Sequence, residues 1–143
     1  MRRFFAPAGR TAIVAGITLS CVAVVTSSQT APPDLRSTRS GVYTVEQAAR
    51  GETTFARNCI GCHSAGAYAT PAFVKKWNGR PLGALYSLVA DTMPEDFPGV
   101  LSPAEYAQIV AYLLKLNRMP AGSEELPADL PALNKIRFDA SDN

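Results

Sequence analysis

The chain has 143 residues, room for about one domain of ordinary size. Hydrophobic residues make up 47% and charged residues 18%, which excludes wholesale disorder and a collagen-like fibre. A formal charge of +2 excludes a strongly basic nucleic-acid binder, and three cysteines with a single histidine restrict any metal chemistry to a small donor set.

Residues 1–28 read as an export signal. Arg2, Arg3 and Arg10 make a positive start, and Ala12 to Val25 make an apolar stretch. That stretch is shorter than the about 20 residues a membrane span needs, but it suits the apolar core of a signal peptide. Thr26-Ser27-Ser28 offers small side chains for cleavage, with an uncleaved N-terminal anchor as the alternative. Cys21 belongs to the apolar stretch, since Thr18-Leu19-Ser20 before it is a poor lipidation signal. Three of the 14 basic residues lie in this leader; the remaining 11 stand against 12 acidic ones, a charge near −1. The electrostatic case for membrane surfaces or nucleic acid largely disappears with the leader.

Residues 29–41, rich in Pro, Ser and charge, read as a linker. Thr44 with Gln47 three residues on predicts a capping box, and Val45, Ala48, Ala49, Phe55 and Ala56 predict a helix running to about Asn58. Gly51 inside it costs about 1 kcal/mol relative to alanine, so a close packing contact is expected there. From Gly61 to Gly79 the pattern is irregular, broken by Gly66, Pro71 and Gly79. Leu82, Leu85, Leu88 and Val89 predict a short helix, and Asp91 to Gly99 an extended loop. Ser102-Pro103-Ala104-Glu105 is a second capping box, with proline at the first helical position. Tyr106, Ile109, Val110, Leu113 and Leu114 continue that helix to about Asn117. The tail from Ser123, with Pro127 and Pro131, is expected to wrap the surface or stay partly disordered. No strand or internal repeat is evident. The expectation is an all-α domain of three main short helices with loops so long that something else must fill the middle.

Cys59-Ile60-Gly61-Cys62-His63 carries the chemistry. C-x-x-C-H is the attachment signature of c-type haem: two thiols at this spacing add to two vinyl groups of one porphyrin, and the adjacent histidine becomes the proximal iron ligand. A thioredoxin-like dithiol needs a βαβ context that is absent, and a structural zinc site needs four ligands, whereas one cysteine pair and one histidine are present. A structural disulfide remains chemically possible in an exported domain. With His63 the only histidine, the sixth ligand falls to methionine or stays open. Met93, in a proline-rich loop 30 residues beyond His63, is the candidate; Met119, directly after the last helix, reads as a packing residue. A thioether is soft and neutral, and it raises the reduction potential of the iron.

These residues resemble a class I cytochrome c domain over Tyr43 to about Leu126, and in particular the cytochrome domains and subunits that serve quinoprotein (PQQ-dependent) alcohol and sugar dehydrogenases. The matching positions include Gln47 to Gly51, Phe55, Cys59 to His63, Phe73, Trp77, Gly79, Leu82, Leu85, Met93-Pro94, Pro98-Gly99, Tyr106, Ala111 to Leu114 and Pro120 to Gly122. The resemblance implies a cytochrome c fold over residues 42–126, wrapped around one haem c bound through Cys59 and Cys62, with residues 127–143 a C-terminal extension. It also implies that the helices starting at Thr44 and Ser102 cross, with Gly51 and Phe55 meeting the Tyr112 region. Pro71 resembles the proline whose carbonyl accepts the proximal histidine Nδ1–H, although Thr70-Pro71-Ala72-Phe73 departs from the family's usual Gly-Pro or Pro-x-Leu context. Trp77 and Arg80 are candidates for contacts to a haem propionate, with core packing and solvated charge as their other readings.

The expected activity is outer-sphere electron transfer, not enzyme catalysis. There is no second histidine, and Glu95-Asp96 and Glu124-Glu125 read as solvated charge. Export ahead of haem attachment favours an unfolded route, so Arg2-Arg3 reads as an ordinary leader start despite its resemblance to a twin-arginine signal. The expected protein is a periplasmic carrier or small subunit. It would take electrons from a dehydrogenase and pass them to an oxidase or another cytochrome, through transient and partly apolar docking to which Lys75-Lys76 could contribute a rim. A ligand-binding or peroxidatic haem protein with an open sixth position is the alternative.

Overall fold

The computed structural model describes residues 35–140; the leader, its cleavage zone and most of the expected linker lie outside the described residues. In chain order the elements are β1 (Arg36–Ser37), a 3-10 turn (Thr38–Ser40), α1 (Val45–Asn58), a second 3-10 turn (Ala65–Tyr68), α2 (Pro71–Trp77), α3 (Leu82–Thr92), α4 (Pro103–Leu116), α5 (Leu130–Leu133) and β2 (Ile136–Arg137). The three expected helices are α1, α3 and α4. Among the described residues no helix is long and apolar enough to cross a membrane.

α1 and α4 each start from a side-chain cap in their own sequence, whereas α3 follows Pro81 without one. At α1 the Thr44 hydroxyl accepts from the Gln47 N–H at 3.1 Å. The expected reciprocal half of that box is replaced. The Gln47 side chain is buried and exchanges two hydrogen bonds with Leu126, donating to its carbonyl (2.9 Å) and accepting from its N–H (2.7 Å). A buried amide needs its partners, and a backbone strand running past the helix supplies both. Along α1 the face of Ala48, Gly51 and Phe55 is buried, whereas Val45, Ala49 and Ala56 face out.

At α4 the box is complete. The Ser102 hydroxyl accepts from the Glu105 N–H, and the Glu105 carboxylate accepts from the Ser102 N–H at 2.9 Å, with Pro103 at the first helical position. These bonds hold the Glu105 carboxyl below its ordinary range. From Tyr106 to Leu114 only Gln108 is not fully buried, so α4 is the central element, apolar on nearly every side. It ends with Arg118 in the left-handed region (φ +58°). The Arg118 N–H reaches the Lys115 carbonyl, and the Met119 N–H reaches the Leu114 carbonyl. That pair of bonds is the Schellman termination, usually built on glycine, and it turns Met119 back into the core.

α1 and α4 meet at Gly51. A Cβ there would collide with the backbone carbonyl of Gln108, which is the packing reason the mid-helix glycine called for. One turn on, the rings of Phe55 and Tyr112 lie 5.5 Å apart. Exposed ion pairs, Lys115 with Glu52 (2.8 Å) and Arg50 with Glu125, flank the crossing and add at most about 1 kcal/mol each.

Three expectations are corrected. The end of the linker is structured: β1 pairs in parallel with β2, Arg36 opposite Ile136, and Thr38 is fully buried. The Thr38 hydroxyl accepts from the Asp139 N–H (2.9 Å) and reaches the Met119 sulfur at 3.5 Å. The tail is core and not a surface extension, since Leu133, Ile136 and Phe138 are buried. Phe138 is fixed through its backbone, donating to the Arg80 carbonyl (2.9 Å) and accepting from the Gly79 N–H (2.8 Å). Pro127 and Pro131 hid this at the sequence level; Pro131 sits in the first turn of α5, where its missing N–H costs nothing. Finally, Pro71 starts a helix instead of breaking the chain. The Thr70 hydroxyl caps α2 by accepting from the Phe73 N–H at 3.2 Å.

If the tail is core, Phe138→Ala should destabilise the domain by about 3–5 kcal/mol, read as a shift in the denaturant midpoint. A surface extension would leave the midpoint unchanged.

Candidate haem-attachment site

Cys59 closes α1, its N–H donating to the Phe55 carbonyl at 2.8 Å. The Cys59 carbonyl then accepts from both the Cys62 N–H (3.1 Å) and the His63 N–H (2.9 Å). These bonds form one further helical turn, and residues at i, i+3 and i+4 of a turn share a side. The C-x-x-C-H spacing is thereby converted into two thiols and an imidazole on one side of the chain. Both thiols are free; Cys62 is exposed and Cys59 half-buried, and burial pushes the Cys59 thiol up from its ordinary value. Among the described residues no group of three or more His, Cys, Asp or Glu side chains converges to hold a metal ion.

An aromatic chain continues from this turn. The His63 ring lies 5.7 Å from Tyr68, Tyr68 lies 5.7 Å from Phe73, and Phe73 lies 6.3 Å from Trp77 and 6.1 Å from Phe138. Burial, and secondarily the negative charge that Cys59 can carry, raise the Tyr68 hydroxyl above its ordinary value. Trp77 is buried in the core, and the exposed Arg80 places its guanidinium 4.8 Å from the Trp77 ring centroid. Pro71 opens α2 and lines, with Thr70, Val74, Asn117 and Arg118, a cavity of about 710 Å³ that includes none of Cys59, Cys62, His63 or Met93. Among the described residues no hydrogen bond joins the His63 ring to a carbonyl; the bond His63 makes is through its backbone N–H.

The two methionines differ. Met119 is buried with its sulfur beside the Thr38 hydroxyl, as a packing residue should be. Met93 caps the C-terminus of α3 in extended backbone and is half-buried. Its N–H donates to the Val89 carbonyl (2.9 Å), and its carbonyl accepts from the buried Tyr106 hydroxyl (2.8 Å). Tyr106 is held in turn edge-on to Tyr86 at 6.3 Å. The Met93 backbone is thus anchored to α4 while its side chain stays partly accessible.

The residues fit a haem. Besides the donor chemistry, the segments that carry the candidate ligands leave large apolar side chains uncovered by protein. Ile60 lies within the C-x-x-C-H turn, and Leu88, Phe97 (71% exposed) and Val100 lie within seven residues of Met93 along the chain. An imidazole and a thioether are both donor types that haem iron accepts.

Sequence reasoning missed Tyr68 as part of this site. It lies in a run of small residues, Ala65-Gly66-Ala67-Tyr68-Ala69, without periodicity, and only the packing of three elements reveals it.

A family model described as cytochrome c oxidase, cbb3-type, subunit III matches residues 46–113, from the first turn of α1 to the last turn but one of α4. No curated protein and no solved structure matches the chain. The match, with the helical architecture, makes this the all-α cytochrome c fold and supports a class I c-type cytochrome domain. Such a domain implies haem c, redox protein partners in general, and electron transfer in place of enzyme catalysis.

Tyr106→Phe removes the bond to the Met93 carbonyl. It should cost about 0.5–1.5 kcal/mol of stability in equilibrium unfolding, with no change in helix content by circular dichroism.

Proposed function

We propose that the protein is a periplasmic monohaem electron carrier, or the cytochrome subunit of a larger assembly, in which His63 and Met93 would hold the haem iron. The supporting observation is the contrast between the methionines: Met119 is consumed by core packing, whereas Met93 is fixed through its backbone and accessible at its side chain. Cys59 and Cys62 would anchor the cofactor covalently, and the turn they share with His63 places the imidazole next to them in the chain. Haem, when bound, supplies a one-electron ferric/ferrous couple. As a soft neutral donor, Met93 would favour the reduced side of that couple and would keep exogenous ligands from the iron. Arg80, backed by the Trp77 ring, is assigned a haem propionate.

The proposed donor is a quinoprotein or similar dehydrogenase, and the proposed acceptor an oxidase or cytochrome of the respiratory chain. The oxidase subunit in the matching family's description favours the acceptor side as the docking neighbour. The export signal supports a periplasmic location, with membrane association only through an uncleaved leader. No role with nucleic acid is proposed.

The test is the state of the sixth position. The ferric protein should show the weak near-infrared sulfur-to-iron band, and the reduced protein should resist carbon monoxide. Met93→Ala should abolish the band, admit carbon monoxide and lower the reduction potential, while Met119→Leu should change none of these. A wild-type protein without the band, or one that binds carbon monoxide readily, would overturn the carrier reading in favour of the open-site alternative.

A further inference from the structure

A histidine that ligates a metal usually donates its other ring N–H to a carbonyl or carboxylate, and that bond fixes the plane of the ring. Among the described residues the His63 ring makes no such bond. What the imidazole meets is Tyr68, with ring centroids 5.7 Å apart and planes inclined at 60°. We propose that Tyr68 is a positioning residue for His63, setting the plane of the imidazole and, through it, the electronic state of the bound iron. The proposal rests on His63 being the proximal ligand.

A ring can orient another only if it is itself immobile, and Tyr68 is held from three directions. Phe55 of α1 meets it edge to face at 5.8 Å and 87°. Phe73 of α2 meets it edge to face at 5.7 Å and 90°. These are the favoured arrangements of aromatic pairs, and each partner belongs to a different helix. The third hold is on the backbone. The Asn117 amide donates to the Tyr68 carbonyl at 2.7 Å and to the Leu113 carbonyl at 2.8 Å. Asn117 is the C-cap of α4, so one side chain ties the end of that helix to the residue against the imidazole. Phe55 also packs on Tyr112 of α4. Helix α4 therefore reaches Tyr68 twice, through Asn117 directly and through Tyr112 by way of Phe55. In this arrangement the α1–α4 crossing is transmitted to the orientation of one ring.

The competing reading is that Tyr68 merely fills space. It predicts a loss of stability on truncation with no effect on the iron. The experiment uses the full chain with its haem, as wild type, Tyr68→Phe, Tyr68→Leu and Asn117→Ala. Pyridine haemochrome spectra first establish covalent haem in each. The ferric forms are then compared by electron paramagnetic resonance and by the proton NMR shifts of the haem methyl groups, both of which respond to the plane of an axial imidazole. Tyr68→Phe, which keeps the ring, should reproduce the wild-type g values and methyl order. Tyr68→Leu should change both, and Asn117→Ala should move them less, with the haemochrome spectrum unchanged throughout. A Tyr68→Leu protein with wild-type g values and methyl order would overturn the proposal. Should Tyr68→Leu fail to fold, a wild-type spectrum in Asn117→Ala would overturn it equally. Absence of covalent haem from the wild type itself would refute the prior assignment of His63, an outcome distinct from any difference among the variants.

Discussion

The contact on which the site depends is the backbone-to-backbone approach of α1 and α4 at Gly51. With no side chain between Gly51 and the Gln108 carbonyl, the two helices come close enough for Phe55 and Tyr112 to pack one turn further on. Everything chemical in the domain then follows from where these helices end. The end of α1 becomes the Cys59 turn, in which one carbonyl receives both the Cys62 and His63 N–H groups. The end of α4 supplies Asn117, which holds Tyr68 against the imidazole, and Arg118, whose left-handed backbone sends Met119 inward. Near its start, the same helix supplies Tyr106, which anchors Met93. A side chain at Gly51 would push apart the helix that ends in the Cys59 turn and the helix that anchors the Met93 backbone.

A second constraint is the closure of the chain on itself. β1 and β2 are only two residues each, but their pairing joins the start and end of the described domain. The close approach of Gly41, at φ +69°, to Gly122 repeats the join: the Gly122 N–H donates to the Tyr43 carbonyl at 2.7 Å, and a Cβ on either glycine would strike the other segment. Phe138 inserts beside Phe73 and is tied to the Gly79–Arg80 turn. The tail thereby supports the Trp77–Arg80 corner, so Arg80, proposed to contact a propionate, and the ring behind it are braced from the C-terminal part of the described domain and not only from their own loop.

What was legible in the sequence was local. Ser102-Pro103 with Glu105 marks the start of α4 because a cap and its helix are neighbours in the chain. C-x-x-C-H marks the attachment turn for the same reason, and Gly51 announced a close contact because glycine inside a helix needs one. The partner of Gly51 came from the family resemblance. What stayed hidden was non-local or masked by proline. Gln47 reads as half of a capping box, but its amide is spent on Leu126, which lies far along the chain. Leu133, Ile136 and Phe138 are spaced as neither a helix stripe nor a long strand, and prolines precede them. Pro71 has the same Thr-Pro start as the Ser-Pro of α4, but its helix is too short to show a period. Tyr68 has no local signature at all; its place is defined by Phe55, Phe73 and Asn117 together.

The Cys59–His63 turn is proposed to hold a covalently attached haem around which the apolar segments of the domain close. The most direct test is to produce the chain in a host that attaches haem to exported cytochromes and to record the pyridine haemochrome spectrum and intact mass after denaturation. Covalent attachment through Cys59 and Cys62 predicts a mass increased by one haem, resistance to extraction by acidified organic solvent, and the haemochrome of a porphyrin linked through two thioethers. A protein that folds without haem, or that releases it on extraction, would contradict it.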